Sequence, residues 1–113
     1  MKVPVLPLTI PQGSTYIHQF NLDLTDFGIT DLTEYEARIQ VRKRYNDTEL
    51  LYFGNSDSNE HIVTQTGGLL LTIPAAVTGS WGFKRAVYDI EVFDELGFVL
   101  RVVQGKIRVT PEV

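Results

Sequence analysis

Strict alternation of apolar and polar side chains is the feature that most restricts how this chain folds. Over residues 34–42 every second residue is apolar, and the residues between are charged or polar. The apolar set is Tyr35, Ala37, Ile39 and Val41. A helix is the rival interpretation, since Glu, Ala, Arg and Gln all favour helices. Strict alternation decides for a half-buried strand with one apolar and one charged face.

Four other segments have strand character. Residues 15–24 and 85–93 repeat the alternation, the first with Phe20 and Leu22 on its apolar side. Shorter apolar runs at 50–53 and 69–73 are typical of buried strands bounded by turn residues. Together these segments predict a protein made almost entirely of strands.

The last long segment changes face along its length. Over residues 97–110 the apolar positions move from one side to the other, and a bulge near Gly105 would return both sets to the core. Gly67 and Gly68 indicate a tight hairpin before it in the chain. Only residues 74–78, which open on a proline, have helical character, for one or two turns at most.

The fold predicted from this pattern is an antiparallel β-sandwich, immunoglobulin-like or Greek key, of seven or eight strands. The 113 residues fit one core. We expect a single domain over residues 10–113, preceded by an amino-terminal arm over residues 1–9. The predicted core is Tyr35, Ile39, Val41, Leu71, Ile73, Tyr88, Ile90 and Val92.

Composition excludes several classes of protein. The chain has no cysteine, which excludes disulfides and thiolate metal sites. Its net charge of −4 argues against nucleic-acid binding. No apolar run approaches the roughly 20 residues that cross a bilayer. Because Pro4 and Pro7 interrupt the first residues, we expect no signal peptide, and synthesis in a cytoplasm.

Residues that often carry chemistry are present but dispersed. His18 falls on the apolar side of a strand and His61 follows a polar loop, so we interpret the first as packed or at an edge and the second as solvated. Asp89 and Glu91 share one strand face, as paired acids do in glycosidases, but a polar strand face explains them more simply. We therefore predict no catalytic residue, no metal site and no cofactor.

Basic and aromatic residues offer partner-binding candidates. Arg38, Arg42, Lys43 and Arg44 form the one basic concentration and can meet an acidic partner or a phosphate backbone. Alternatively, Arg38 and Arg42 pair across the sheet with acidic side chains such as those of Asp89 and Glu91. Trp81, with Tyr45 and Tyr52, is the only plausible set for stacking on a glycan, although Trp81 can equally cap one end of the sandwich.

The order of several segments resembles that of a known family. These segments are 10–15 (Ile-Pro-Gln-Gly-Ser-Thr), 31–42 (Asp-Leu-Thr-Glu-Tyr-Glu-Ala-Arg-Ile-Gln-Val-Arg), 69–74, 88–92 (Tyr-Asp-Ile-Glu-Val) and 102–113. They resemble small virion proteins of tailed bacteriophages and prophages. The chain is also similar to the amino-terminal domain of siphophage baseplate upper proteins, a β-sandwich that fastens receptor-binding parts to the tail.

The resemblance implies a non-enzymatic structural protein of the tail, baseplate or neck, located in the virion and bound to other virion proteins and to copies of itself. Two alternatives stay open, a capsid decoration protein and a carbohydrate-binding sandwich that contacts the host surface. Apart from Trp81 and the arginines, the candidate contacts are Val3, Val5 and Leu6 of the arm. We expect a neighbour to receive this arm, whose prolines disfavour a place in its own central sheet. The alternative is that it folds back as an edge strand.

Overall fold

The computed structural model describes residues 3–111 and confirms the predicted all-β sandwich. The first two residues of the predicted arm and the last two of the predicted domain lie outside this range. The elements are β1 (Leu8–Pro11), β2 (Tyr16–Asn21), β3 (Glu36–Arg42), β4 (Tyr52–Asn55), β5 (Ile62–Gln65), β6 (Gly68–Ile73), α1 (Ala75–Gly79), β7 (Arg85–Phe93) and β8 (Val99–Thr110), with 3-10 helices at Thr25–Phe27 and Leu32–Glu34.

The strands form two sheets. One has five strands in the order β1-β8-β7-β3-β4, and the other has three in the order β2-β6-β5. The sets β8-β7-β3 and β2-β6-β5 correspond to the GFC and BED strands of an immunoglobulin domain. Every pair is antiparallel except β1 and β8, which run parallel. These strands come from opposite ends of the chain, and no tight turn fixes their direction.

The alternation that predicted β3 places its side chains as expected. Ala37, Ile39 and Val41 are fully buried between the sheets, while Arg38 and Arg42 point outward. Of the predicted core residues only Tyr35 is half-buried rather than buried, and it packs its ring 5.9 Å from that of Phe98. The apolar sides of β2, β6 and β7 complete the core, so periodicity identified the inward face of each sheet.

The bulge in β8 lies earlier in the strand than predicted. Ile90 pairs with Val103, but the next residue, Glu91, pairs with Arg101, which makes Val102 the extra residue. Val102 and Val103 are both buried, because the insertion turns two consecutive side chains towards the core. Gly105 is therefore not the bulge residue; it instead lies in close contact with the arm.

The described part of the arm belongs to its own sheet, contrary to the expectation that a neighbour receives it. β1 begins at Leu8, inside the predicted arm, and Val5 forms a parallel bridge with Gln104. The Leu6 N–H donates to the Gln104 carbonyl at 2.8 Å, and the Gln104 N–H donates to the Pro4 carbonyl at 3.0 Å. Prolines are tolerated here because an edge strand needs only alternate N–H groups for its ladder.

Candidate partner-binding surface

The outward side of the five-stranded sheet brings the sequence-predicted arginines and acids together. Arg38 and Glu91 are directly opposite in the register of β3 and β7, and Arg38 Nε donates to Glu91 Oε1 at 2.9 Å. Arg42 Nη1 lies 3.5 Å from Asp89 Oδ2. Of the two interpretations of Arg38 and Arg42, pairing across the sheet is the one found. Each such pair stabilises a sheet by about 0.2–1 kcal/mol.

Asp89 is the unusual member of this set. It is 4% exposed, and its Oδ1 has no hydrogen-bond partner among the described residues. Burial raises the pKa of Asp89, and the nearby Arg101 guanidinium, 4.0 Å from Oδ2, opposes that rise. Tyr45 reaches this region from the loop after β3, where its hydroxyl donates to the Gly105 carbonyl at 3.0 Å. Asp89 therefore belongs to the packed centre of the face.

One end of this sheet is basic. Arg85 and Arg108 are directly opposite in β7 and β8, and Lys106 is opposite Val87 two pairs further along. With Lys43 these cations line a concavity of about 470 Å³, which we call the basic pocket. Its full lining is Pro7, Leu8, Thr9, Lys43, Arg85, Ala86, Val87, Lys106, Ile107 and Arg108. The exposed Arg44 follows Lys43 in the chain.

The opposite end of the same sheet is acidic. A concavity of about 370 Å³ between the start of β3 and the β7–β8 turn is lined by Glu34, Glu36, Phe93, Asp94, Glu95 and Leu96, which we call the acidic tip. Leu96, in the β7–β8 turn, is 94% exposed. The Asp94 carboxylate accepts hydrogen bonds from the Leu96 and Phe98 N–H groups at 2.9 and 3.0 Å. The turn that presents Leu96 is thus held in shape.

Neither the basic pocket nor the acidic tip was predicted from the sequence. The basic pocket joins residues from β1, β7, β8 and the loop after β3, which strand register alone brings together. A signal was present in the sequence, since Arg85 and Arg108 lie at the start of one strand and the end of the next strand along the chain. In an antiparallel hairpin those positions coincide.

The outward side of the three-stranded sheet has no charge at all. β2, β5 and β6 contain no Asp, Glu, Lys or Arg. The outward residues, which we call the neutral face, are Ile17, Gln19, Val63, Gln65, Leu70 and Thr72. Ile17 and Val63 are 63% and 45% exposed, and Gln19 Nε2 donates to Gln65 Oε1 at 2.7 Å. The neutral face is thus a partly apolar surface between two edge strands.

The arm crosses β8 at a glycine. A side-chain carbon on Gly105 would lie 2.2 Å from the Leu6 carbonyl oxygen, so only glycine permits this approach. The same oxygen accepts a hydrogen bond from the buried Tyr88 hydroxyl at 2.6 Å. Of the three arm candidates, Val5 is 68% exposed, whereas Val3 and Leu6 are half-buried. Val5 is the arm residue most open to a partner.

Trp81 is an interior residue, which corrects its place among the partner-binding candidates. It is 5% exposed, and its ring lies 5.7 Å from that of Tyr52, edge-on, and 5.0 Å from that of Phe83. Tyr52 is also buried, so of the three aromatic residues considered for a glycan only Tyr45 is exposed. The Trp81 carbonyl accepts a hydrogen bond from the Gln12 amide at 2.9 Å. Packing at one end of the sandwich explains this tryptophan.

The histidines lie apart. His18 packs its ring 4.4 Å from that of Phe20, as expected of a packed histidine. His61 is not solvated as predicted: it is half-buried, with Nδ1 2.5 Å from the Tyr52 hydroxyl. Within residues 3–111 no three His, Cys, Asp or Glu side chains are grouped to hold a metal ion. Over the same residues no helix has the length and apolar character to cross a membrane.

No family model and no curated protein matches this chain. Solved structures that match include extracellular domains 3–5 of Drosophila OTK, with a TM-score of 0.47 and 16% sequence identity. The match covers 98% of this chain and 34% of that one, so this chain spans about a third of the matched structure's length. Function has to be argued from the surface itself.

Proposed function

We propose that this chain is a non-enzymatic structural protein of a tailed phage particle, a component of its tail, baseplate or neck, made in the bacterial cytoplasm. It acts through contacts with other virion proteins and with its own copies. The observation that carries this proposal is the neutral face, where an uncharged surface with exposed Ile17 and Val63 lies between two edge strands.

The physical support comes from the cost of burying a surface. A charge taken out of water costs free energy unless it is paired, and the centres of protein interfaces are accordingly depleted of charged residues. Burying Ile17 and Val63 against a partner needs no such compensation. Gln19 and Gln65 already satisfy part of each other's hydrogen-bonding capacity. The neutral face therefore has the composition of an interface centre rather than of an ordinary solvated sheet.

The edge strands add a second means of contact. β2 and β5 are the outer strands of their sheet, so alternate N–H and C=O groups on each have no strand partner within it. Such edges accept a strand from another chain. The assignment to a phage particle is supported by the segment resemblance, above all residues 31–42 and 102–113.

The test is incorporation into particles. We expect tagged protein, located with a gold-labelled antibody on intact particles by electron microscopy, to appear at the tail, baseplate or neck. Ile17→Lys, which places a charge on the neutral face, should fold and yet be left out of particles. Thr48→Lys, an equivalent change in an exposed loop after β3, is the control and should be incorporated. Normal incorporation of Ile17→Lys, or labelling confined to the head surface, would contradict the proposal.

A further inference from the structure

We infer that copies of this protein associate head to tail, with the acidic tip of one copy seated in the basic pocket of the next. This contact goes beyond the proposed function, because it follows from the charges and shape of this chain at the two ends of one sheet. It joins a second copy of the chain to the first and leaves the neutral face free for a different partner.

The basic pocket carries charge that its own molecule leaves uncompensated. The ion pairs among residues 3–111 involve Arg38, Arg42 and Arg101, all near the centre of the sheet. None involves the pocket cations. Arg85 and Arg108 are directly opposite each other, and like charges in that position destabilise a sheet. An anionic group bound between them removes that repulsion.

The acidic tip is opposite in charge to the basic pocket, and it presents one projecting apolar side chain. Leu96 projects from the β7–β8 turn with 94% of its surface exposed, beside Asp94 and Glu95. The pocket lining combines cations with apolar residues, Pro7 and Val87 among them. Because two hydrogen bonds to Asp94 hold the turn, docking it costs little conformational entropy. An apolar side chain with acidic neighbours therefore meets a pocket lined by apolar and basic residues.

The two sites cannot meet within one molecule. β7 runs from Arg85 in the pocket to Phe93 at the tip, and a strand advances about 3.3 Å per residue, so the sites are roughly 26 Å apart. The molecule is 44 Å long and 25 by 21 Å across. A contact between unlike ends is heterologous, and it propagates into a ring or an open fibre according to the rotation between successive copies.

The experiment uses sedimentation velocity of the full chain with charge-swapped variants. The pocket variant, Arg85→Glu with Arg108→Glu, replaces two of the four pocket cations by acids, which cancels the positive charge of the pocket and leaves the acidic tip intact. The tip variant, Glu34→Lys with Glu95→Lys, replaces two of the four acids of the tip by cations, which cancels its negative charge and leaves the basic pocket intact. We expect each variant alone to stay monomeric at concentrations where the wild type associates. Mixing them should restore association, since the intact acidic tip of the pocket variant then meets the intact basic pocket of the tip variant.

A control variant separates location from net charge. Asp47→Lys with Glu49→Lys makes the same charge change as the tip variant, but in the loop at the basic end. It should associate at least as strongly as the wild type, because it adds positive charge beside the basic pocket. Wild-type association should weaken at least about tenfold as the Debye length falls from about 10 Å at 0.1 M salt to about 3 Å at 1 M.

Three results would overturn the inference. The first is a wild type that stays monomeric at low salt across the concentration range. The second is a mixture of the pocket and tip variants no more associated than either alone. The third is a monomeric wild type that binds a short fluorescent single-stranded DNA through Arg85 and Arg108, which would assign the pocket to a polyanion instead. Since the neutral face is unaltered in both variants, these results bear on contacts between copies and not on the contact of the neutral face with other virion proteins.

Discussion

The outward sides of the two sheets differ in a way that their inward sides do not. Both inward sides are mostly apolar, and most of their side chains are buried. Outward, the five-stranded sheet carries Arg38, Arg42, Asp89 and Glu91 in cross-strand pairs, whereas the three-stranded sheet carries no charged residue on any strand. Burial in the core explains why the inward sides are alike, but it does not determine the outward sides.

The two outward sides suit two different kinds of contact. A neutral surface associates by burying apolar area, which salt screening does not weaken. A surface with charged ends associates over longer range and in one orientation, but weakens as salt rises. On this account the neutral face holds the protein against its partner, and the charged ends set the order of successive copies.

The largest expected effect tests the contrast between inward and outward residues of one strand. Ile39→Ala empties a fully buried site and should lower the free energy of unfolding by about 2–5 kcal/mol. Arg38→Ala, next to it on the outward side, should cost only about 0.2–1 kcal/mol, the range for a cross-strand pair. Urea denaturation measures both. Equal losses would mean that the two sides of β3 are wrongly assigned.

The next effect tests how closely β2 and β6 of the three-stranded sheet approach each other. A side-chain carbon on Gly68 would lie 2.1 Å from the Phe20 carbonyl oxygen, so Gly68→Ala should force β2 and β6 apart and cost about 3 kcal/mol. Gly67, its neighbour in the β5–β6 turn, has nothing within 4 Å of such a carbon. Gly67→Ala should therefore leave the midpoint of thermal unfolding almost unchanged. A large loss for Gly67→Ala would contradict this view of the hairpin.

A smaller effect tests the contact between the arm and β8 at the edge of the five-stranded sheet. Gly105→Ala would bring a methyl group against the Leu6 carbonyl, and we expect a loss of about 1–3 kcal/mol with the sandwich still folded. The Leu6 and Gln104 N–H groups, which bond across this contact, should exchange with solvent faster. Gly82→Ala, where nothing lies within 4 Å, is the control. Unchanged exchange at Leu6 would show that the arm does not depend on this glycine.

The smallest effect concerns pH and two aspartates in contrasting surroundings. Burial raises the pKa of Asp89, so the native state holds this proton more firmly than the unfolded chain does. The stability that the native state gains by binding this proton is complete in acid, and it is lost as pH rises through the raised pKa of Asp89. Asp89→Asn should therefore gain stability relative to the wild type as pH rises above about 4.

Asp31 should show the opposite sign. Hydrogen bonds from the Thr33 hydroxyl and N–H lower its pKa, so its stabilisation is present near neutral pH and is lost as pH falls through the lowered pKa. Asp31→Asn should therefore be at its greatest disadvantage near pH 7. Thermal unfolding of both variants across the acid range measures the two trends. Parallel curves for Asp89→Asn and Asp31→Asn would refute this contrast.

The sequence predicted what a single strand determines and missed what several strands determine together. Alternation gave the faces of β3 and β7, because inward and outward sides follow from a period of two. It could not place the bulge at Val102 rather than at Gly105, because either insertion returns the same side chains to the core. Trp81 was ambiguous because Tyr52, whose ring packs against it, comes from a separate segment of the chain.

The arm shows the same limit. Its prolines exclude a central strand, and that argument holds, but they do not exclude an edge strand beside β8. Gly105 was predicted to mark a bulge, whereas its lack of a side chain makes room for the Leu6 carbonyl. That contact spans almost the whole chain and leaves no local signal at either residue.

Hydrogen exchange of the protein in assembled particles, compared with the free protein, tests most directly the claim that it acts through its neutral face. The account predicts added protection in β2 and β5, centred on the amides of Ile17 and Val63, and an unchanged rate at Thr48 in the exposed loop after β3. Particles that contain the protein, but in which β2 and β5 exchange as fast as in the free chain, would contradict it.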